Sequence, residues 1–288
     1  MKVLVTGADG QLGRALAKTA PAHLQVTALS RSALDITDPP SIAAAIAQLA
    51  PDLVVNAAAY TAVDRAESEK DLAFAVNGAA PGQLAAAAHG ANAGFVHIST
   101  DFVFDGHASV AYAPGAPTAP AGVYGASKLA GEQAAMATHP EALIVRTAWV
   151  YAAAGGNFVR TMLRLMAERD EVRVVADQIG TPTHADSLAR AIWQLAAAKL
   201  SGIWNWTDAG VASWYDFAVA IQEEALALGL LSRAVPVIPI RTEDYPTPAR
   251  RPAFSLLDKQ ATWAQTGLAA HWRVELRDAL EQMKEMTR

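Results

Sequence analysis

Tyr124 and Lys128 stand four residues apart in "VYGASKLAGE", a segment that reads as the opening of a helix, so both side chains fall on one helix face. A tyrosine hydroxyl ordinarily titrates at about 10, and at neutral pH it is a proton donor. A nearby cation stabilises the phenolate and brings proton exchange within reach. Upstream, "VHISTD" ends a strand, where Thr100 can hydrogen-bond a carbonyl oxygen beside the tyrosine. Phenol, ammonium and hydroxyl together suit delivery of a proton to a carbonyl under reduction. Y-x-x-x-K alone is common by chance, so the weight rests on what precedes it.

What precedes it is a glycine loop. "TGADGQLG" places Gly7, Gly10 and Gly13 at G-x-x-G-x-x-G spacing, directly after a strand and at the start of a helix. Such a loop turns tightly, lets the backbone approach a pyrophosphate, and offers it the unpaired N–H groups and positive dipole end of the helix. The second strand ends at "LSRS". An Asp or Glu there would accept from a ribose 2′-hydroxyl, whereas Ser30 and Arg31 suit a 2′-phosphate. The expected cofactor is therefore NADPH, with NADH as a second possibility. Asp35, in "LDITD", is placed to reach the adenine amino group. The combined chemistry is hydride transfer between a nicotinamide and a carbonyl or alcohol.

These parts need a rigid frame, and the pattern around them supplies one. Short apolar runs ("KVLVTG", "LQVTALS", "PDLVVNAAA", "GFVHIST", "EALIVRTAWVY") alternate with helical segments. Continuous rather than alternating hydrophobicity marks strands buried on both faces, and strand–helix alternation implies a parallel sheet. The expected fold is α/β: a Rossmann-like doubly wound parallel sheet with a smaller, discontinuous C-terminal substrate-binding domain. Residues 1–150 form the dinucleotide-binding part, to which parts of about 175–206 return, and residues 151–288 form mainly the cap.

Bulk properties narrow the partners. The 288 residues are 52% hydrophobic and 18% charged, with net charge −5 and no long charged run. Neither nucleic acid nor an anionic membrane is expected as a partner. There is no cysteine, hence no disulfide or thiolate metal site. No run of about 18 apolar residues and no signal peptide are found, so a cytoplasmic location is expected.

The set "TGADGQLG", "NAAAYTAVDRAE", "HISTDFVFDG", "YGASKLAGE", "RTAWVY" and "DQIGTPTHADSLA" resembles the extended short-chain dehydrogenase/reductase superfamily, and within it the dTDP-4-dehydrorhamnose reductase family. The resemblance runs from residue 1 to about 255. It implies reduction of the C4 ketone of dTDP-4-dehydro-L-rhamnose by NADPH, with Tyr124 as proton donor, Lys128 on the nicotinamide ribose and Thr100 on the carbonyl. It implies that Gly10, Gln11 and Leu12 lie over the pyrophosphate, with Gly7 of the same loop also in the cofactor site, Asp35 and Ile36 by the adenine, and Ala59, Tyr60 and Thr61 beside the cofactor. Asp101 and Trp149 would contact the sugar, and Arg251, in "YPTPARRPAFS", suits the substrate diphosphate.

Two departures matter. Dehydratase relatives carry Asp-Glu after the Ser/Thr, but here Phe102 follows Asp101, which argues against dehydration. Some members hold a magnesium ion between subunits through glutamates, but Ala15 offers no oxygen where one would stand, and Asp186 alone makes a poor site. No metal is expected, and no oligomeric state follows. The alternatives are an NAD-dependent nucleotide-sugar epimerase, recognisable by tightly held cofactor, and a non-catalytic regulatory subunit of reductase fold.

Overall fold

The computed structural model describes residues 1–286. Its first half alternates β1 (Lys2–Thr6), α1 (Gln11–Thr19), β2 (Gln25–Leu29), α2 (Pro39–Leu49) and β3 (Leu53–Asn56). Next come α3 (Val63–Ala66), α4 (Lys70–Phe74), a π-helical turn at Ala75–Ala79, α5 (Ala80–Gly90) and β4 (Gly94–Thr100). A 3-10 turn at Asp101–Val103 precedes α6 (Val123–Thr138) and β5 (Leu143–Thr147). The second half holds β6 (Val150–Tyr151), α7 (Phe158–Glu168), β7 (Val172–Val175), β8 (Ile179–Gly180), β9 (Thr183–His184) and α8 (Ala185–Ala197). It ends with β10 (Gly202–Asn205), β11 (Ala212–Ser213), α9 (Trp214–Ala227), β12 (Val237–Ile240), α10 (Gln260–Thr266) and α11 (Trp272–Met286).

Six strands form one sheet in the order β10-β5-β4-β3-β1-β2, and every pairing in it is parallel. The side-chain period of two explains the apolar runs. Val3, Val5, Val55, Val96 and Val145 face α1 and α8, while Leu4, Val54, Phe95 and Ile144 face the layer that includes α2 and α5. Both faces are covered, so the sheet is doubly wound. The order reverses between β1 and β3, and a crevice opens beyond the carboxyl ends of the strands at such a point. A separate core gathers Tyr151, Val159, Met166, Phe217, Ile221, Leu276 and Leu280 from the second half. Among the described residues no helix is long and apolar enough to cross a membrane.

The segment from Lys70 to Gly90 reads as mostly helical in sequence, and the structure divides it at the π-helical turn. Asn77 lies in that turn: its Oδ1 accepts from Tyr60 N–H, and its Nδ2 donates to Tyr60 O and to Ser127 Oγ. The irregular turn thus fixes the loop after β3 against α6. The start of α6 is fixed as well. Glu67 accepts from the Val123 N–H at 2.8 Å. A Cβ at position 125 would fall 2.1 Å from Phe102 O, so Gly125 permits the helix to lie against the end of β4. Tyr124 and Thr100 are brought together by that contact.

Candidate functional site

A cleft of about 640 Å³ opens where the carboxyl ends of β1, β3, β4 and β5 meet residues of the second half. Of the residues expected from sequence, Gly7, Gly10, Gln11, Leu12, Arg31, Asp35, Ile36, Ala59, Tyr60, Thr61, Thr100, Asp101, Tyr124, Lys128 and Trp149 all line it. Ser30 and Arg251 do not. The Ser30 hydroxyl pairs with that of Ser32 at 2.9 Å. Arg251 lies in a second cleft with Asp177 and Tyr245, and grips the Asp64 carboxylate at 3.0 and 2.9 Å. This pair depresses the Asp64 pKa, chiefly through the Arg251 hydrogen bonds.

The glycine loop is tight enough to exclude side chains. Gly7 has φ +72°, and a Cβ on Gly13 would lie 2.1 Å from Gly7 O. Gly10 begins α1 with no side-chain cap. The uncapped N–H groups are the feature that binds phosphates, so the loop fits a dinucleotide. Arg31 is largely exposed at the cleft edge, with Asp35 3.8 Å away. The Asp35 carboxyl is held below its usual range, first by the Thr37 hydroxyl and N–H and less by Arg31.

At the cleft floor, Thr100 Oγ1 donates to Asp101 Oδ1 at 2.9 Å and accepts from Phe102 N–H at 3.2 Å. Burial pushes the Tyr124 phenol up to about 12; the Thr100 hydroxyl works against this and the Asp101 carboxyl adds to it. Burial also raises Asp101 to about 6, opposed by Ser255 and Thr100. Lys128 is brought down to about 8 by burial, with Glu132 opposing. Its Nζ donates to Ile98 O at 2.6 Å. The groups acting on the phenol are thus its burial, Thr100 and Asp101, whereas sequence spacing alone suggested Lys128. The Phe102 ring meets Tyr124 edge-on at 5.4 Å.

Several lining residues have no motif to mark them. Trp149 adopts φ +49°, a strained conformation for a bulky residue, and its ring stacks on Trp214 at 3.6 Å and 7°. Trp214 begins α9 behind a capping box of Ser213 and Asp216; that box is the local signal that places it. Phe158 and Phe217 complete this wall. Thr147, at the end of β5, lines the cleft with a buried hydroxyl that has no partner among the described residues. Asn157 donates to Gln11 Oε1 at 2.9 Å, tying α7 to the glycine loop.

Around Ala15 the side chains do not make a cation site. The Lys18 ammonium itself donates to Asp186 at 2.6 Å and to Gln282 at 2.8 Å, so the one acidic side chain facing Ala15 from α8 is already paired with a cation. Among the described residues no group of three or more His, Cys, Asp or Glu is arranged to hold a metal ion.

A first-strand glycine loop and a Thr–Tyr–Lys set at the carboxyl edge of a doubly wound parallel sheet define an extended short-chain dehydrogenase/reductase. More narrowly, the chain belongs to the family described as the RmlD substrate binding domain, which matches residues 1–285. It is 47% identical to a dTDP-4-dehydrorhamnose reductase of Burkholderia thailandensis, over 98% of this chain and 100% of that one. It is 40% identical to the spore coat polysaccharide biosynthesis protein SpsK of Bacillus subtilis, over 98% and 97%. Among solved structures, a dTDP-4-dehydrorhamnose reductase of Clostridium acetobutylicum superposes with TM-score 0.93 at 39% identity, covering 99% of this chain and 100% of that one. The Bacillus anthracis reductase, solved in complex with NADP, gives 0.92 at 36%, covering 98% and 99%.

Proposed function

We propose that this enzyme reduces the C4 ketone of dTDP-4-dehydro-L-rhamnose to dTDP-L-rhamnose with NADPH, Tyr124 giving the proton. The observation that carries the reading is the convergence of Thr100, Tyr124 and Lys128 on one cleft beside the glycine loop. Bound NADPH supplies the hydride. The loop of Gly7, Gly10, Gln11 and Leu12 holds its pyrophosphate, Asp35 and Ile36 its adenine side, and Ala59, Tyr60 and Thr61 flank it. Thr100 orients the ketone oxygen with its hydroxyl. A phenol at about 12 is protonated across the physiological range, and it donates as the ketone oxygen becomes a basic alkoxide. Lys128 holds the nicotinamide ribose. Asp101 and Trp149 contact the sugar. Phe102 puts an apolar ring beside the phenol, where dehydration would need a further acid–base group. Residues 1–150, with parts of about 175–206, bind the cofactor, and the remainder from 151 forms mainly the cap over the sugar nucleotide.

The test is to supply dTDP-4-dehydro-L-rhamnose with NADPH and follow reductant absorbance and product. Stoichiometric oxidation to dTDP-L-rhamnose is expected. No oxidation, together with epimerisation of a UDP-sugar by tightly held NAD, would establish the epimerase reading instead.

Cofactor preference gives a further expected result. Arg31 lines the cleft near the end of β2, where a 2′-phosphate would lie. Hydrogen bonds to a charged group contribute about 1.5–3 kcal/mol, or roughly tenfold or more in affinity. Arg31→Ala should therefore narrow the preference for NADPH over NADH by about that factor, mainly through KM. Equal KM values for both cofactors in the unaltered enzyme would contradict this role for Arg31.

A further inference from the structure

Behind the cleft, four buried side chains cross the sheet from β1 to α6. Thr6 Oγ1 donates to Asn56 Oδ1 at 2.7 Å, and Asn56 Nδ2 lies 3.1 Å from His97 Nδ1. His97 Nε2 then lies 3.4 Å from Lys128 Nζ. None of the four is more than 2% exposed.

Each link has a direction. Thr6 Oγ1 accepts from Ala58 N–H at 3.3 Å, and its own hydrogen goes to Asn56 Oδ1. The Asn56 amide group is thereby left to donate to His97 Nδ1. His97 is neutral, because burial and then the neighbouring Lys128 hold its pKa well below the usual range. A neutral imidazole carries one N–H, and with Nδ1 accepting, that hydrogen sits on Nε2, facing Lys128. An ammonium has no lone pair to receive it, whereas a neutral amine does. The chain as directed matches the neutral amine.

We propose that Thr6, Asn56 and His97 control the charge of Lys128 through the His97 tautomer. The directed chain favours the neutral amine. When Lys128 takes up a proton from solution, the chain inverts: His97 carries its hydrogen on Nδ1, and Asn56 turns its Oδ1 towards it. His97 is neutral in both states, so the uptake is one proton, on Lys128. Inversion leaves the Thr6 hydroxyl hydrogen without its Asn56 acceptor, and this biases the pair.

Other charged groups face Lys128 too. Glu132 on its own helix favours the ammonium, and Arg146 of β5 and Ser99 of β4 clamp that carboxylate. Tyr124 stands one turn back, with Asp101 beside it acting on the phenol. On β4 the Ile98 carbonyl accepts from Nζ in either state. Burial outweighs Glu132 and brings Lys128 to about 8. Loss of its charge just above neutrality would weaken its hold on the nicotinamide ribose, so turnover should fall on the alkaline side.

This inference rests on the proposed role of Lys128 in catalysis, but a test on the ligand-free enzyme separates the two. Nitrogen-15 NMR of His97 across the pH range should show the Nδ1–H form on the acid side and Nε2–H on the alkaline side. The midpoint should match the alkaline limb of kcat. Thr6→Val, isosteric and uncharged, frees Asn56 to invert. It should raise both the NMR midpoint and the limb by about one pH unit, the size set by the one neutral hydrogen bond that is lost. A single tautomer across the limb, or a midpoint that Thr6→Val leaves in place, overturns the coupling. A midpoint that moves while the limb stays supports the coupling and faults the catalytic assignment of Lys128.

Discussion

Tyr124→Phe should lower kcat by about a hundred- to ten-thousandfold, the usual cost of losing a positioned general acid. NADPH affinity should stay nearly unchanged. The substitution removes one oxygen and leaves the ring, which meets Phe102 edge-on at 5.4 Å. It leaves untouched the contacts that seat Lys128, whose Nζ bonds Ile98 O and faces His97. It also leaves the glycine loop on the far side of the cleft. Turnover and cofactor binding should therefore separate. Steady-state kcat, set beside the Kd from NADPH fluorescence titration, reads both. A Tyr124→Phe enzyme with unaltered kcat would remove Tyr124 from the role of proton donor.

The second large effect is expected on stability, at the ion pair that braces this site from behind. Arg146 and Glu132 are almost wholly buried. Nε and Nη2 of Arg146 donate to the two carboxylate oxygens at 2.8 and 2.7 Å, and Nη1 donates to Pro114 O at 2.9 Å. The Ser99 hydroxyl adds a further bond to Glu132. The guanidinium also lies over the Phe104 ring at 5.1 Å. One cation thus joins β5, α6 and the loop that leads from β4 to Tyr124. Breaking a buried pair by removing one partner strands a charge in low dielectric. Arg146→Met is expected to cost about 3–5 kcal/mol of unfolding free energy. The double variant Arg146→Met, Glu132→Leu removes both charges and should recover a substantial part of that loss. Urea denaturation of the three proteins measures it. Equal stability of Arg146→Met and the unaltered chain would show that the pair carries no such load.

What could be read from sequence follows from how local each signal is. The parallel sheet was legible because its strands are covered on both faces, so Val3 to Val5 and Leu53 to Val55 show as unbroken apolar runs. The glycine loop was legible because Gly7 and Gly13 answer a steric demand within seven residues. Spacing likewise put Tyr124 and Lys128 on one face. Long-range pairings left no such trace. Nothing near Arg251 announces Asp64, nearly two hundred residues earlier, as its partner carboxylate. Trp214 stacks on Trp149 across 65 positions of sequence. The charge of Lys128 depended on His97 and Asn56, which sit on neighbouring strands and make no pattern with it.

Isotope tracing follows the hydride from NADPH to the sugar at the Thr100–Tyr124 cleft. The enzyme would be given dTDP-4-dehydro-L-rhamnose and NADPH carrying deuterium at the transferable position, in ordinary water. The expected product is dTDP-L-rhamnose with one deuterium bound to C4 and the new hydroxyl hydrogen drawn from solvent through Tyr124. A C4 position without deuterium, or deuterium retained on the nicotinamide while the sugar changes configuration, would exclude hydride transfer to C4.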